Sequence, residues 1–119
     1  MDKHELQERM TNFAVRIVKM VDAMPSTVSG LAIARQIVRS GTSPSANYRA
    51  ACLAKSDKDF INKLKMVEEE LDETCHWLKI IMRSELMKES RIKPPPPRVL
   101  RVAQYYRQND SYDKDSYEC

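Results

Sequence analysis

Three stretches of this chain place apolar residues three or four positions apart, the spacing that lines one face of a helix. In the first, over residues 4–24, the apolar set is Met10, Phe13, Ala14, Ile17, Met20, Val21 and Met24. Pro25 follows, and the residue before a proline avoids helical backbone angles, so the pattern predicts that the helix ends there. Ser26 or Thr27 then offers a side-chain oxygen as the cap of the next helix.

The second helix is predicted from about Val28 to Ala54, with a narrow face in its middle. The predicted core-facing residues are Leu31, Ala34, Val38, Gly41, Ser45, Tyr48 and Cys52, with Ile33 and Ile37 beside them. Small residues near the midpoint, Ser40 and Gly41 among them, should let a neighbouring helix approach closely.

Pro44 lies inside this second helix. It lacks an N–H and clashes with the carbonyl of Ser40, so we expect a kink, with Ser40, Ser43 and Asn47 supplying compensating hydrogen bonds. Asn47 could also bond to an adjacent helix or subunit. An alternative is two short helices with a break near Gly41.

The third helix is predicted from about Asp57 to Met87, with Ser56 as its cap. Its core-facing residues repeat as heptads: Phe60, Leu64, Val67, Leu71, Thr74, Leu78 and Ile81. At about 1.5 Å per residue, such a helix is roughly 45 Å long.

The chain changes character after residue 93. Pro94–Pro97 must be extended, and the apolar residues beyond permit one short helix at about 97–108. The domains are therefore predicted as a helical bundle over 1–93 and a proline-led tail over 94–119. The fold class is all-α: an up-down antiparallel bundle of three long helices with a short or degraded fourth.

Composition agrees with a helical fold, because 31% of the residues are charged and only two are glycine. The net charge of +3 is smaller than that expected of a protein dedicated to coating DNA. Three cysteines with no metal or redox spacing, no signal-like N-terminus and no long apolar run lead us to expect a soluble cytoplasmic protein.

The basic residues are distributed unevenly. Residues 23–56 contain no Asp or Glu, yet carry Arg35, Arg39, Arg49 and Lys55, and Lys58 follows. Arg35 and Arg39 are four residues apart and share a helix face. These five residues are candidate phosphate contacts. The alternative is a solvated face, or salt bridges between subunits to Glu68–Glu70.

Little in the sequence indicates catalysis. Glu73 and His76 have the spacing of a di-iron half-site, but the second half-site is missing. A nucleophilic pair of Cys52 with His76 has no third member. We therefore expect no catalytic residue, metal or cofactor. Trp77, on the flank of the third helix, is read as an interface anchor rather than a base-stacking platform.

Residues 13–83 resemble the bacterial four-helix-bundle protein family, which includes proteins encoded by intervening sequences within 23S ribosomal RNA genes. The matching motifs are Arg39-Ser40-Gly41, Ser43, Ala46-Asn47, Ser56 and Asp59-Phe60. The resemblance implies up-down antiparallel helices, a homopentameric ring and a nucleic-acid partner, because a related accessory protein works beside a reverse transcriptase. It implies no reaction.

The chain departs from this family at its C-terminus, where four prolines replace a leucine-rich fourth helix. One hypothesis is a shifted reading frame, which the codons of the gene would test. The leading functional hypothesis is a non-enzymatic oligomeric bundle that binds RNA through electrostatics. The alternatives are a protein-interaction scaffold or an inert intervening-sequence product.

Overall fold

The computed structural model describes residues 2–87, which form three helices joined by two short turns. Helix α1 spans Lys3–Asp22, α2 spans Val28–Cys52 and α3 spans Asp57–Arg83. This described part contains no strand, and Lys3 at the start of α1 and Cys52 at the end of α2 line the same groove, as expected for antiparallel helices. The all-α prediction is confirmed. The predicted tail over 94–119, its short helix at 97–108 and the domain boundary at 93 lie outside the described residues.

A side chain caps the start of each helix. The side-chain oxygens of Asp2, Thr27 and Ser56 each accept a hydrogen bond from the backbone N–H three residues later, at 2.8–3.1 Å. Such a bond satisfies one of the N–H groups that a helix start leaves without a partner. The predicted caps at Thr27 and Ser56 are confirmed.

Helix α3 ends at Arg83, four residues before the predicted end at Met87. Glu85 adopts a left-handed conformation with φ 58°, and its N–H bonds to the Met82 carbonyl at 3.1 Å. The Leu86 N–H bonds to the Ile81 carbonyl, also at 3.1 Å. These two bonds form a Schellman motif, which closes a helix by satisfying its last carbonyls.

The predicted core-facing residues of α1 and α3 are largely confirmed. On α1 the buried residues are Leu6, Met10, Phe13, Ile17 and Met20. On α3 they are Leu64, Val67, Leu71, Thr74, Cys75, Leu78 and Ile81. Phe60 is an exception, because it remains 37% exposed at the first turn of α3, beyond the fully packed part of the bundle.

The core-facing side of α2 agrees with the prediction in part, because Gly41 and Tyr48 are buried as predicted, with Ile37 beside them. Its buried residues are Gly30, Ile37, Ser40, Gly41, Pro44, Tyr48 and Ala51. Leu31 was predicted to face the core but is 48% exposed. The buried stripe passes through the small residues because α2 lies between α1 and α3 and approaches both closely.

Helix α2 runs through Pro44 without interruption, so the alternative of two short helices is wrong. Side chains add hydrogen bonds to the carbonyls around the proline. Thr42 donates to the Val38 carbonyl at 2.6 Å, and Asn47 Nδ2 donates to the Ser43 carbonyl at 3.2 Å. Asn47 thus bonds within its own helix. The kink remains a prediction.

Gly41 lies at a tight contact between α1 and α2. A Cβ atom at this position would lie 2.8 Å from both Cγ atoms of Ile17, which is fully buried. Real Cβ atoms do not approach their neighbours so closely. The absence of a side chain at Gly41 therefore allows Ile17 to pack directly against the backbone of α2.

Two buried hydroxyl groups join α2 to α3. Ser40 and Thr74 are both 0% exposed, and their side-chain oxygens lie 2.9 Å apart. Thr74 also lies 2.8 Å from the Glu70 carbonyl, so one arrangement of the hydroxyl protons satisfies both groups. Buried polar groups of this kind need such partners. This pair is a buried polar contact between α2 and α3.

Candidate nucleic-acid interface

The outward face of α2 carries exposed positive charge. Arg35 and Arg49 are both exposed, and neither makes an ion pair within residues 2–87. They are fourteen residues apart in sequence, which is nearly four full turns, so they share the outward face about 21 Å apart. Arg39 lies between them, one turn after Arg35. We call Arg35, Arg39 and Arg49 the arginine strip.

Lys55 and Lys58 lie apart from most of this strip, at one end of the bundle. Lys55 is exposed in the turn between α2 and α3, and Lys58 is exposed in the first turn of α3. Lys55 lines an open groove of about 400 Å³ together with Cys52 and Phe60. The structure therefore groups the five predicted basic residues into the arginine strip and a pair of lysines beyond its C-terminal end.

Arg39 is already bound by two carboxylates of α3. Its Nη1 lies 3.2 and 3.0 Å from the two carboxylate oxygens of Glu70, and its Nη2 contacts Glu73. The Arg39 side chain nevertheless remains 49% exposed. The sequence left open salt bridges between subunits to Glu68–Glu70. The observed ion pairs lie within one chain, and involve Glu70 and Glu73.

The hydrogen bonds of Glu73 also shift its acidity. Trp77 Nε1 donates to Glu73 at 3.1 Å, and this bond, followed by the hydrogen bond from Arg39, lowers the pKa of the Glu73 carboxyl despite its partial burial. The pKa of Arg39 is raised, first by Glu73 and then by Glu70. Glu73 is therefore held in its charged form beside the arginine.

Trp77 is half-buried, as expected for a residue on the flank of α3. Its indole N–H donates a hydrogen bond to Glu73, and the centre of its ring lies 5.2 Å from the centre of the His76 ring. The indole is thus part of the α3 surface network. Its role as an interface anchor stays a prediction.

The described residues do not assemble a catalytic pair or a metal site from the candidates that the sequence offered. Cys52 ends α2 and lies beside Phe60 in the groove, whereas His76 is sixteen residues further along α3, about 24 Å away. The described residues therefore do not bring Cys52 and His76 together as a nucleophilic pair. Within residues 2–87, His, Cys, Asp and Glu nowhere gather in a group of three that could hold a metal ion.

Sequence reasoning missed the roles of Glu73 and Thr74. Ser40 and Arg39 are neighbours in sequence, and so are Thr74 and Glu73, so one antiparallel alignment brings both pairs together. The available signal was a polar threonine at a core position of the α3 heptads, opposite a serine on α2. Recognising it required the relative alignment of the helices, which neither helix specifies alone.

Comparison with known proteins places this arrangement in a family. The family model described as 23S rRNA-intervening sequence protein matches residues 2–103. The chain belongs to this family. Its fold also matches the crystal structure of a protein of unknown function from the S23 ribosomal protein family of Bacteroides thetaiotaomicron, with a TM-score of 0.85 and 30% sequence identity. That match covers 93% of this chain and 99% of the other.

Membership of this family does not assign an activity to the chain. A search of curated proteins found none that matches the chain. Among the helices of residues 2–87, none has both the length and the apolar character needed to cross a membrane. The surface chemistry of the bundle is therefore the basis for a functional proposal.

Proposed function

We propose that this member of the 23S rRNA-intervening sequence protein family is a non-enzymatic, oligomeric accessory protein that binds RNA through the outward face of α2. The observation that supports it most directly is the exposure of Arg35 and Arg49 on a helix without acidic residues. Arginine binds phosphate oxygens through a planar set of N–H donors. Lys55 and Lys58 extend the positive surface beyond the end of α2.

Oligomerisation is part of the proposal because one chain offers few phosphate contacts. The net charge of a single chain is only +3. Each phosphate that a protein neutralises releases counterions, so affinity and its salt dependence both grow with the number of contacts. Several copies of the strip on one assembly would bind a folded RNA far more tightly than one copy.

The test is a salt titration of RNA binding, with a 24-base-pair RNA hairpin as the probe. In the double variant Arg35→Ala, Arg49→Ala, the slope of log affinity against log salt concentration should decrease by about two, because two phosphate contacts are lost. Arg9→Ala, Lys19→Ala on α1 is the matched control, since both of its residues are exposed and it removes the same charge.

Two outcomes would reject the RNA-binding proposal. One is the absence of binding by the unaltered protein at low salt. The other is an equal loss of affinity in the α2 and α1 variants, because the arginine strip would then contribute no more than its charge.

A protein-interaction scaffold is the second candidate, and exposed apolar residues favour it. Val28 is 91% exposed, Leu31 48% and Leu53 80%, and the helical repeat places all three near the outward face of α2. Replacing Leu31 and Leu53 by Gln should then reduce self-association in light scattering, while RNA binding is absent. An inert product would show neither effect.

A further inference from the structure

The middle of the arginine strip differs from its two ends. Arg39 is held by Glu70 and Glu73, so the three side chains together carry a formal charge of −1. Arg35 and Arg49 have no such acidic neighbours in ion-pair contact within residues 2–87. A phosphate approaching the strip therefore meets positive charge at both ends and an excess of negative charge at its centre.

We infer that Glu70 and Glu73 act as built-in competitors for phosphate at Arg39, and so set how strongly the strip binds RNA. This inference rests on the proposed function. The two carboxylates occupy the same N–H donors that a phosphate would use, since Arg39 Nη1 faces both oxygens of Glu70 and Nη2 faces Glu73.

The exposure of these groups makes exchange with a ligand feasible. The side chain of Arg39 is 49% exposed, that of Glu70 23% and that of Glu73 36%. The guanidinium can thus be reached from solvent, while the carboxylates that hold it are more covered. At an ionic strength of 0.1 M, charges closer than the screening length of about 10 Å still interact. Both carboxylates therefore also repel a phosphate that contacts Arg39.

Glutamine is the appropriate replacement because it keeps the side-chain shape and one acceptor oxygen and removes the charge. A glutamine oxygen at position 70 or 73 can still accept hydrogen bonds from Arg39, and at position 73 also from Trp77 Nε1. The double variant Glu70→Gln, Glu73→Gln therefore changes the formal charge of the cluster from −1 to +1 with little change in shape.

The experiment measures binding of the 24-base-pair RNA hairpin by fluorescence anisotropy for four proteins. These are the unaltered chain, Arg39→Ala, the double variant Glu70→Gln, Glu73→Gln, and the triple variant that combines all three changes. The double variant should bind about tenfold more tightly, because one charge-assisted contact is gained, with a salt slope steeper by about one. Arg39→Ala alone should change affinity little, and the triple variant should lose most of the gain.

The double variant Glu69→Gln, Asp72→Asn is the matched control. Both of its residues are exposed on α3. Like the Glu70, Glu73 variant, it removes two negative charges from the molecule. Thermal melting followed by circular dichroism checks that each variant is folded.

The inference is overturned if the Glu69, Asp72 control gains as much affinity, if the gain survives Arg39→Ala, or if no gain occurs. Failure of the proposed function is recognised separately. It appears as no binding by any of these proteins, or as binding that does not depend on Arg35 and Arg49. The affinity could also be unchanged in the Glu70, Glu73 variant but strongly reduced in the Arg35→Ala, Arg49→Ala variant. That result rejects the competition by Glu70 and Glu73 and leaves the proposed RNA binding standing.

Discussion

Gly41 lets α1 and α2 meet because it has no side chain. The space that a Cβ atom would fill is taken by both Cγ atoms of Ile17, at 2.8 Å. Ile17 is fully buried, and its β-branched side chain has few alternative rotamers. The sequence allowed the prediction of a close approach at this point, because Ser40 and Gly41 are small. It did not identify Ile17 as the residue that uses the space.

Replacing Gly41 by Ala should destabilise the bundle. Alanine favours the helix by about 1 kcal/mol relative to glycine, but overpacking a tight contact costs about 1–3 kcal/mol. The measurement is the free energy of unfolding in urea. In a background of Ile17→Ala, which removes both Cγ atoms, Gly41→Ala should become neutral or stabilising. An equal cost in both backgrounds would contradict this contact.

At the scale of the helices, the three elements were predictable and the buried side of α2 was predictable in part. The heptads of α3 and the apolar spacing of α1 are regular, and side-chain caps mark all three starts. On α2 the predicted Gly41 and Tyr48 are buried, whereas the larger Leu31 is exposed and Pro44 and Ala51 are buried instead. Hydrophobicity alone does not reveal such a choice.

The same limit applies to the arginine strip. Which arginines share a face follows from helical geometry, so Arg35 and Arg49 could be placed from the sequence. The ion pairs of Arg39 depend on the tertiary alignment of α2 with α3, and on which of several glutamates in α3 reaches it.

The contact between α2 and α3 should depend on pH through Glu73. The hydrogen bond from Trp77, and next that from Arg39, lowers the pKa of this carboxyl in the folded state. A lowered folded-state pKa gives stability that is present above the unfolded pKa of about 4.3 and is lost as pH falls through the folded value. The unaltered protein should therefore lose its stability advantage over Glu73→Gln between pH 6 and acidic pH.

Urea denaturation at pH 6 and at pH 3 measures this difference, with Glu69→Gln as the control at an exposed position of the same helix. The gap between the unaltered protein and Glu73→Gln should narrow at pH 3, while the control shows no comparable narrowing. A gap that stays constant over this range would mean that Glu73 carries no pH-dependent stability.

For the molecule as a whole, the arrangement places α2 in two roles at once. One side of this helix packs against both α1 and α3, and its outward side carries the arginine strip with exposed apolar residues such as Leu31. Family membership follows from a match over residues 2–103, while the assembly and the partner are proposals.

The purified protein should be an oligomer. Light scattering should give a mass several times the 13.8 kDa of one chain, and five times that value for the ring implied by the sequence resemblance. If the assembly multiplies the arginine strip, its salt slope for RNA binding should exceed that of a single strip. A mass of one chain at micromolar concentration would contradict both the assembly and this amplification.

The hydroxyl pair of Ser40 and Thr74 has a consequence for the uniqueness of the fold. The leucines of α3 repeat every seven residues, so the apolar stripe alone hardly distinguishes the native alignment from one shifted by a heptad. A shift in one direction would bring Lys63 to the place of Glu70, against Arg39, and a shift in the other would bring Trp77 there. Either shift would also separate the two hydroxyls and so remove the buried hydrogen bond between α2 and α3. The buried pair thus favours the native alignment of α3 with α2. The same alignment places Glu70 and Glu73 beside Arg39, so the charge pattern of the outer surface depends on a contact in the core.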